Sequence, residues 1–229
     1  MIKLSPRLAG IAEKIPPCDT AADVGCDHAG LSLWLVQSGR AKTVYACDIR
    51  KGPLSRAKAN IARAGLIGRI IPMLRDGLDG VPPCRTVIIA GMGGETIAGI
   101  LSRAEWTGNP GCTLFLQPMT ADFELREFLY HNGYAITDES YVREGDKLYI
   151  ILTVIPGNTD ILDPSELYAS RAAGGHPLFC EFAGRVIHKL SVRLEGLKKA
   201  KAYEEDAVVY LSGIIDTLKR RREENAERE

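Results

Sequence analysis

The sequence predicts an α/β fold of the class I, Rossmann-like type, with a seven-stranded sheet followed by a helical hairpin. Three observations support this prediction. Apolar segments alternate with amphipathic segments as far as residue 133, as strands and helices do in a doubly wound sheet. Two alternating apolar segments then follow closely, as in an antiparallel pair. Beyond residue 163 the apolar residues recur every three or four positions, as in long helices.

The first half of the chain begins with a short amphipathic helix at 8–15, which ends before Pro16 because proline terminates helices. Strands are expected to end at Val24 and at Asp48, each before a glycine-containing segment. The elements expected between and after them are helices at 31–38 and 53–64 and a strand at 70–74.

The second half of the sheet begins with Thr86–Ala90, which is apolar throughout and is typical of a buried parallel strand. A strand at 113–117 and helices at 95–103 and 122–132 are expected next. The alternating segments 135–142 and 147–154, which flank a turn that contains Gly145, predict the antiparallel pair.

A boundary is expected where proline and glycine residues interrupt the pattern, around residues 156–164. We therefore predict a catalytic domain over residues 1–157 and a helical, coiled-coil-like domain over residues 158–229. Each predicted helix of the second domain is about 20 residues, or about 30 Å, long. The apolar positions that define the two helices are Phe179, Phe182, Val186, Leu190, Leu194 and Leu197, then Val208, Leu211, Ile215 and Leu218.

Composition excludes several classes of protein. The 29 basic and 29 acidic residues give no net charge, so a nucleic-acid surface has to come from local clustering. No apolar run reaches the length of a membrane span, and no signal-peptide core is present, so we expect a cytoplasmic protein. The six cysteines show no metal-ligand spacing, and no metal site is expected.

The segment Ala21–Leu31 reads as a strand end, a glycine turn and a helix start. A dinucleotide site would need a second glycine at the position of Asp27, where a carboxylate would repel a pyrophosphate. S-adenosylmethionine has no phosphate and carries a sulfonium and an ammonium group. Acidic residues in this turn therefore favour S-adenosylmethionine as the cofactor.

Three aspartates at successive strand ends are expected to bind this donor. Asp23 would fix the turn and interact with the donor's amino group, and Gly25 would let the backbone approach the methionyl part. Asp48, followed by Ile49, would accept hydrogen bonds from both ribose hydroxyls.

Two further segments complete the expected donor site. Asp76 and Gly77 are placed to bind the adenine ring and its amino group. The segment after the fourth strand is expected to line the same site with backbone; it consists of Ala90, Gly91, Met92 and Gly93.

The acceptor is suggested by what this last segment lacks. Enzymes that methylate exocyclic amines carry Asn/Asp-Pro-Pro-Tyr/Phe here, and none of those parts is present. A glycine-rich pocket suits a ring nitrogen, whose lone pair needs alignment with the methyl group. Asp27 and His28 are the catalytic candidates. Asp27 would accept a hydrogen bond from the base or stabilise a cationic product, and His28 would transfer a proton.

The predicted C-terminal helices carry more cations than acids over residues 185–201. Such a run is usually a solvated face, but beside a base-sized pocket it would position RNA through phosphates. The residues expected to bind RNA are Lys189, Arg193, Lys198 and Lys199.

These motifs resemble those of the bacterial tRNA (adenine-22-N1)-methyltransferase family, TrmK. The resemblance covers residues 4–155 and rests on Asp23–Ala29, Ala46–Asp48 with Gly52-Pro53, Arg75–Gly77, Ile89–Gly94 and Leu116–Pro118. It implies methyl transfer from S-adenosyl-L-methionine to N1 of adenine 22 in the D-loop of tRNA, by a monomer without an obligate protein partner. The helical hairpin also resembles the coiled-coil appendage of the family.

The chain departs from the family pattern at two positions. Gly30 stands where members often carry an aromatic residue, and Cys26 where they carry Ser or Thr. If the aromatic residue stacks on the target base, Met92 or Phe115 would have to replace it here. Two alternatives remain open: a methyltransferase of a small molecule or protein, and a non-catalytic RNA-binding or donor-sensing relative.

Overall fold

Seven strands form one sheet in the computed structural model, which describes residues 2–157, 163–200 and 205–227. The strands are β1 (Cys18–Val24), β2 (Ala41–Asp48), β3 (Ile70–Leu74), β4 (Thr86–Met92), β5 (Thr113–Pro118), β6 (Tyr134–Glu144) and β7 (Lys147–Pro156). Their order across the sheet is β3-β2-β1-β4-β5-β7-β6. Strands β1 to β5 are parallel, and β7 runs antiparallel to both β5 and β6. The predicted class I fold is therefore confirmed.

Helices cover both faces of this sheet. They are α1 (Pro6–Lys14), α2 (Gly30–Gln37), α3 (Lys51–Arg63), α4 (Gly94–Ser102), α5 (Asp122–His131), α6 (Phe179–Lys199) and α7 (Glu205–Ala226). Most boundaries lie within two residues of those predicted. The fourth strand was expected to end at Ala90 but continues to Met92. A bulge between Ala90 and Met92 lets its pairing with β5 continue past Gly91.

The core consists of two clusters separated by the sheet. Along β4, Val87 and Ile89 point into the cluster with α4 and α5, whereas Ile88 points into the cluster with α1, α2 and α3. Phe115 lies in the latter cluster and is 1% exposed. The strands are apolar on both faces because helices bury both sides, as in other parallel sheets.

The helical hairpin formed by α6 and α7 shares the first of these clusters at its base. The ring of Phe182 stacks on Tyr141 of β6, with centroids 4.5 Å apart. Arg221 of α7 donates hydrogen bonds to the carbonyls of Ala169 and Ser170, at 2.6 and 2.7 Å. The hairpin is thus anchored to the sheet at one end. The predicted domain boundary at residue 157 lies next to residues 158–162, which are outside the described residues, and it stays a prediction.

A buried ionic network fastens α5 to β6. The guanidinium of Arg126 lies 2.8 Å from the carboxylate of Asp122 and 3.0 Å from that of Glu139. Glu139 also accepts hydrogen bonds from the Tyr141 hydroxyl at 2.7 Å and from the Ser170 amide at 3.1 Å. Burial disfavours the charge on Arg126, but Glu139 and Asp122 outweigh it and raise the pKa of Arg126 above its usual range. The network holds the segment before α6 in place.

Candidate active site

The turn after β1 is held in a conformation that most side chains disfavour. Gly25, Asp27 and Ala29 have φ angles of +73°, +50° and +60°. The amide of Gly25 donates a hydrogen bond of 2.8 Å to the carbonyl of Cys47, which ties the turn to β2. A side chain at Gly25 would lie 2.5 Å from Cε of Met92. Glycine adopts this φ at no steric cost and leaves the β1 edge open, whereas a Cβ would displace the end of the Met92 side chain.

Asp48 lies at the end of β2 with its carboxylate fixed from two sides. Oδ2 accepts a hydrogen bond from the amide of Asp27 at 3.2 Å, and Oδ1 accepts one from the amide of Arg50 at 2.8 Å. The residue is 4% exposed, yet it lines a cleft. Each carboxylate oxygen keeps a second lone pair, so Asp48 can still accept bonds from two hydroxyl groups.

Asp23 lies beneath the turn. Its carboxylate accepts a hydrogen bond of 2.6 Å from the Ser32 hydroxyl at the start of α2. Burial raises the pKa of Asp23 to about 6, the Ser32 hydrogen bonds lower it, and the charge of Asp48 raises it further. The side chain is not among those that line the cleft, so its observed contact joins the turn to α2.

The loop after β3 contributes Asp76 and Gly77. Asp76 is largely exposed and lies 3.3 Å from the guanidinium of Arg103. Gly77 has a φ angle of +61°, and a side chain there would lie 2.8 Å from Ile100 of α4. The glycine thus serves both the turn and the close packing of α4.

These segments enclose a cleft of about 320 Å³ at the carboxyl ends of β1, β2 and β4. The sheet order reverses between β1 and β4, and ligands bind at such a point in doubly wound sheets. Of the residues predicted to bind the donor, Asp23 and Gly93 do not line this cleft. Those that do are Gly25, Asp48, Ile49, Asp76, Gly77, Ala90, Gly91 and Met92, together with Val24, Arg50, Arg75, Thr96 and Ile100.

The glycine segment after β4 is held by a residue from the neighbouring strand. Gln117 is fully buried, and its Oε1 accepts a hydrogen bond of 3.1 Å from the amide of Gly91. The same oxygen accepts a bond of 2.6 Å from Nη1 of Arg7 in α1. Sequence reasoning found no role for either side chain. The resemblance had singled out the Leu116–Pro118 segment, but nothing in the sequence pointed to Arg7.

A second cleft, of about 390 Å³, lies along the end of β5. Met119, in its lining, donates its amide at 2.8 Å to the carbonyl of Met92, which lines the first cleft. The second cleft is lined by residues that include Pro118, Met119, Thr120, Tyr149 of β7 and the charged residues Asp122, Asp146, Lys147 and Arg185. A substrate group in the second cleft would therefore lie near a ligand in the first.

Asp27 and His28 lie at the exposed side of the turn. Their side chains form a pair with 3.3 Å between His28 Nε2 and Asp27 Oδ2, and both are about half exposed. Neither lines the two clefts described above. The neighbouring Cys26 thiol is buried, and burial, followed by the charges of Asp23 and Asp48, raises its pKa. That thiol is therefore not poised as a nucleophile.

The predicted RNA-binding cations are exposed on α6, but they do not share one face. Lys189 and Arg193 are one helical turn apart. Lys198, nine residues after Lys189, lies about half a turn around the helix from it and is 3.2 Å from Glu195. Among the described residues no cluster of His, Cys, Asp and Glu is suited to hold a metal ion. No helix in the described ranges has the length and apolarity of a membrane span.

Comparison with known proteins places this site in context. Residues 4–152 match the family model described as a methyltransferase domain. Over 163 residues the chain is 37% identical to the tRNA (adenine(22)-N(1))-methyltransferase of Bacillus subtilis (strain 168), a match that covers 69% of this chain and 68% of that protein.

Solved structures agree over the whole length. The B. subtilis M1A22 tRNA methyltransferase TrmK superposes with a TM-score of 0.81 and 28% identity, covering 98% of this chain and 100% of that one. TrmK of M. capricolum, in complex with S-adenosyl-homocysteine, gives a TM-score of 0.78 at 26% identity, with 96% and 98% covered. A Streptococcus pneumoniae protein in complex with S-adenosyl-L-methionine gives 0.76 at 30% identity, with 97% and 100% covered.

Proposed function

We propose that this chain methylates N1 of adenine 22 in tRNA with S-adenosyl-L-methionine. The chain belongs to the tRNA (adenine(22)-N(1))-methyltransferase family. The observation that carries this function is the cleft at the end of β1, β2 and β4 with Asp48 fixed inside it. The alternatives of a small-molecule or protein substrate, and of a non-catalytic relative, have no comparable support.

The residues present fit S-adenosyl-L-methionine. The carboxylate of Asp48 is buried at the cleft and held by two backbone amides, as a ribose-binding carboxylate needs to be. Gly25 leaves the β1 edge free of side chains, and Asp76 and Gly77 line the part of the cleft assigned to the adenine ring. When bound, the donor supplies a methyl group on a positively charged sulfur.

In this proposal the protein contributes alignment rather than a strong base. The N1 lone pair of adenine is already nucleophilic, so placing it correctly supplies several kcal/mol of the barrier reduction. Gly91 and Met92 line the donor cleft, and Gln117 fixes the amide of Gly91. Asp23 acts as a positioning residue through Ser32. Asp27 and His28 stay candidates at the exposed side of the turn, the Asp27 carboxylate to bond the base or stabilise the cationic product and His28 to transfer a proton.

We assign tRNA docking to the α6–α7 hairpin. Support comes from the exposure of Lys189 and Arg193 on the flank of α6. The pair Lys198 and Lys199 lies toward the end of the helix away from the sheet. A tRNA is large enough to contact both this hairpin and the clefts. We further propose that the enzyme acts as a monomer in the cytoplasm, where its tRNA substrate is found.

The experiment that tests this function is methyl transfer from labelled S-adenosyl-L-methionine to an unmodified tRNA transcript. We expect nucleoside mass spectrometry to show 1-methyladenosine and primer extension to stop at tRNA position 22. A transcript with guanine at this position is the matched control and should gain no methyl group. If the protein binds the donor but methylates no tRNA nucleoside, the substrate assignment is wrong and the fold assignment survives.

A further inference from the structure

We propose that Tyr149 provides the aromatic surface on which the target adenine stacks, within the second cleft. This inference rests on the proposed function and specifies where the acceptor base lies. The turn after β1 offers no aromatic side chain for this purpose. Gly30 has no side chain, and a Cβ at this position would have no neighbour within 4 Å.

The two residues considered from sequence do not meet the requirement. Phe115 is buried in the cluster on the α1 side of the sheet and cannot reach a ligand. Met92 lines the donor cleft, and its Cε lies over Gly25. It can contact the methyl-bearing end of the donor, but it offers no flat surface to a base.

Among the side chains that line the two clefts, Tyr149 and Phe182 are aromatic. Phe182 is 8% exposed, and its ring is stacked on Tyr141. Tyr149 is partly exposed and lines the cleft together with Pro118 and Met119. Met119 is 44% exposed, which adds apolar surface to the same lining. Of the two rings, Tyr149 is therefore the one that is free to receive a base.

The position of Tyr149 relative to the donor cleft is fixed by Arg7. The guanidinium carbon lies 5.6 Å from the centroid of the Tyr149 ring. Its Nη1 lies 2.6 Å from Gln117, and a Cβ on Gly91 would lie 3.3 Å from this same nitrogen. Arg7 therefore contacts the wall of the donor cleft and the ring of the second cleft at once. Because Arg7 packs on one face of the Tyr149 ring, a base would stack on the opposite face.

This arrangement matches how proteins hold an unpaired base. Bases that leave a stack are held on aromatic rings or on planar guanidinium groups. Replacing such a ring by an aliphatic side chain therefore weakens binding of the base. Tyr149 supplies such a ring, and the guanidinium of Arg7 packs on its other side. Pro118 and Met119 add apolar surface, and the same lining contains the charged residues Asp122, Asp146, Lys147 and Arg185.

The test compares three substitutions in the full chain. Tyr149→Phe keeps the ring, and we expect kcat/KM for tRNA to stay within about threefold of the unsubstituted protein. Tyr149→Leu and Tyr149→Met remove the ring, and we expect losses of roughly 10- to 100-fold. Affinity for S-adenosylhomocysteine, measured by calorimetry, should change less than about threefold. Tyr130→Leu, on α5 and away from both cleft linings, is the matched control.

A second readout detects stacking directly. A transcript with 2-aminopurine at tRNA position 22 should lose fluorescence on binding to the protein and to Tyr149→Phe. It should be brighter when bound to Tyr149→Met. Equal activity and equal quenching in the Phe and Met variants would overturn the proposal while 1-methyladenosine still forms. If the unsubstituted protein forms no 1-methyladenosine, the proposed function fails instead, so the two failures are distinguishable.

Discussion

The guanidinium of Arg7 donates a hydrogen bond of 2.6 Å to the amide oxygen of Gln117, which lies 110 positions later in the chain. This contact connects the N-terminal helix to the glycine segment after β4, because Gln117 also accepts the amide of Gly91. The wall of the donor cleft at Gly91 is therefore held by a residue outside the sheet.

Replacing Arg7 should disturb this wall more than it disturbs the fold. Arg7→Met removes the hydrogen bond to Gln117 and the contact with Tyr149, and we expect kcat/KM for tRNA to fall about tenfold or more. A hydrogen bond from a charged group contributes about 1.5–3 kcal/mol, so urea unfolding should show a loss of at most that size. Arg7→Lys, which keeps the charge, should retain part of the activity. Full activity of Arg7→Met would contradict the role.

Asp48 is expected to control donor affinity without affecting tRNA affinity. Asp48→Asn keeps one acceptor oxygen but turns an amide group toward the backbone donors of Asp27 or Arg50. We expect a loss of about 10- to 100-fold in affinity for S-adenosylhomocysteine by calorimetry, and a larger loss for Asp48→Ala. Asp79→Asn, exposed and outside the cleft lining, serves as the control. Equal losses of donor and tRNA affinity would argue against this assignment.

The raised pKa of Asp23 predicts a dependence of stability on pH. Its folded-state pKa of about 6 exceeds the ordinary 3.8, so the folded protein binds more protons between these values. The contribution of Asp23 to the free energy of unfolding therefore falls as pH rises from about 4 to 6 and then levels off. Asp23→Asn removes this effect. Relative to the unsubstituted protein, the variant should gain about 2 kcal/mol between pH 4.5 and 7.5. Parallel stability curves for the two proteins would show that Asp23 is not perturbed.

The network around Arg126 predicts a large effect from a single change. Arg126→Met leaves Glu139, which is 1% exposed, without its cationic partner, and breaking such a buried pair costs about 3–5 kcal/mol. Urea unfolding measures the free energy of unfolding of Arg126→Met, of Glu139→Leu and of the double variant. The double variant should lose less stability than the sum of the two single losses. Lys14→Met breaks the more exposed pair with Asp138 and should cost less than about 1 kcal/mol. Strict additivity for the buried pair would mean that the two charges do not interact.

The hairpin cations can be tested as two pairs, because α6 places them on different sides. Lys189→Gln with Arg193→Gln should weaken tRNA binding and lower the slope of log affinity against log salt by about 1–2. Lys198→Gln with Lys199→Gln tests the far end of the helix separately. Fluorescence anisotropy at several salt concentrations measures both. If neither pair changes affinity or slope, the hairpin does not dock tRNA through these residues.

The elements whose observed bounds lie closest to the predicted ones are those that a short stretch of sequence defines by itself. The strand at 70–74 has the bounds expected, since an apolar β-rich segment between glycines leaves few alternatives. Asp48 and Gly25 were expected at one edge of the sheet, and both line the cleft there, because strand ends that alternate with helices fall on the same edge of a parallel sheet. The four α6 cations expected to bind RNA stay a prediction, and helical spacing places Lys198 about half a turn away from Lys189.

The sequence by itself determined the strands of the sheet, the edge at which a donor is expected and the two long helices, because each depends on periodicity or on a strand end read within a short window. Only the tertiary structure decided what lies near the donor cleft. Arg7 and Tyr149 come from the first helix and the last strand, and the fold brings them into contact, with β7 pairing antiparallel beside β5. Phe115 was turned away from that cleft by the alternation of side chains across β5. Contacts between residues this far apart in the chain depend on strand order and register, and no short window of sequence contains either.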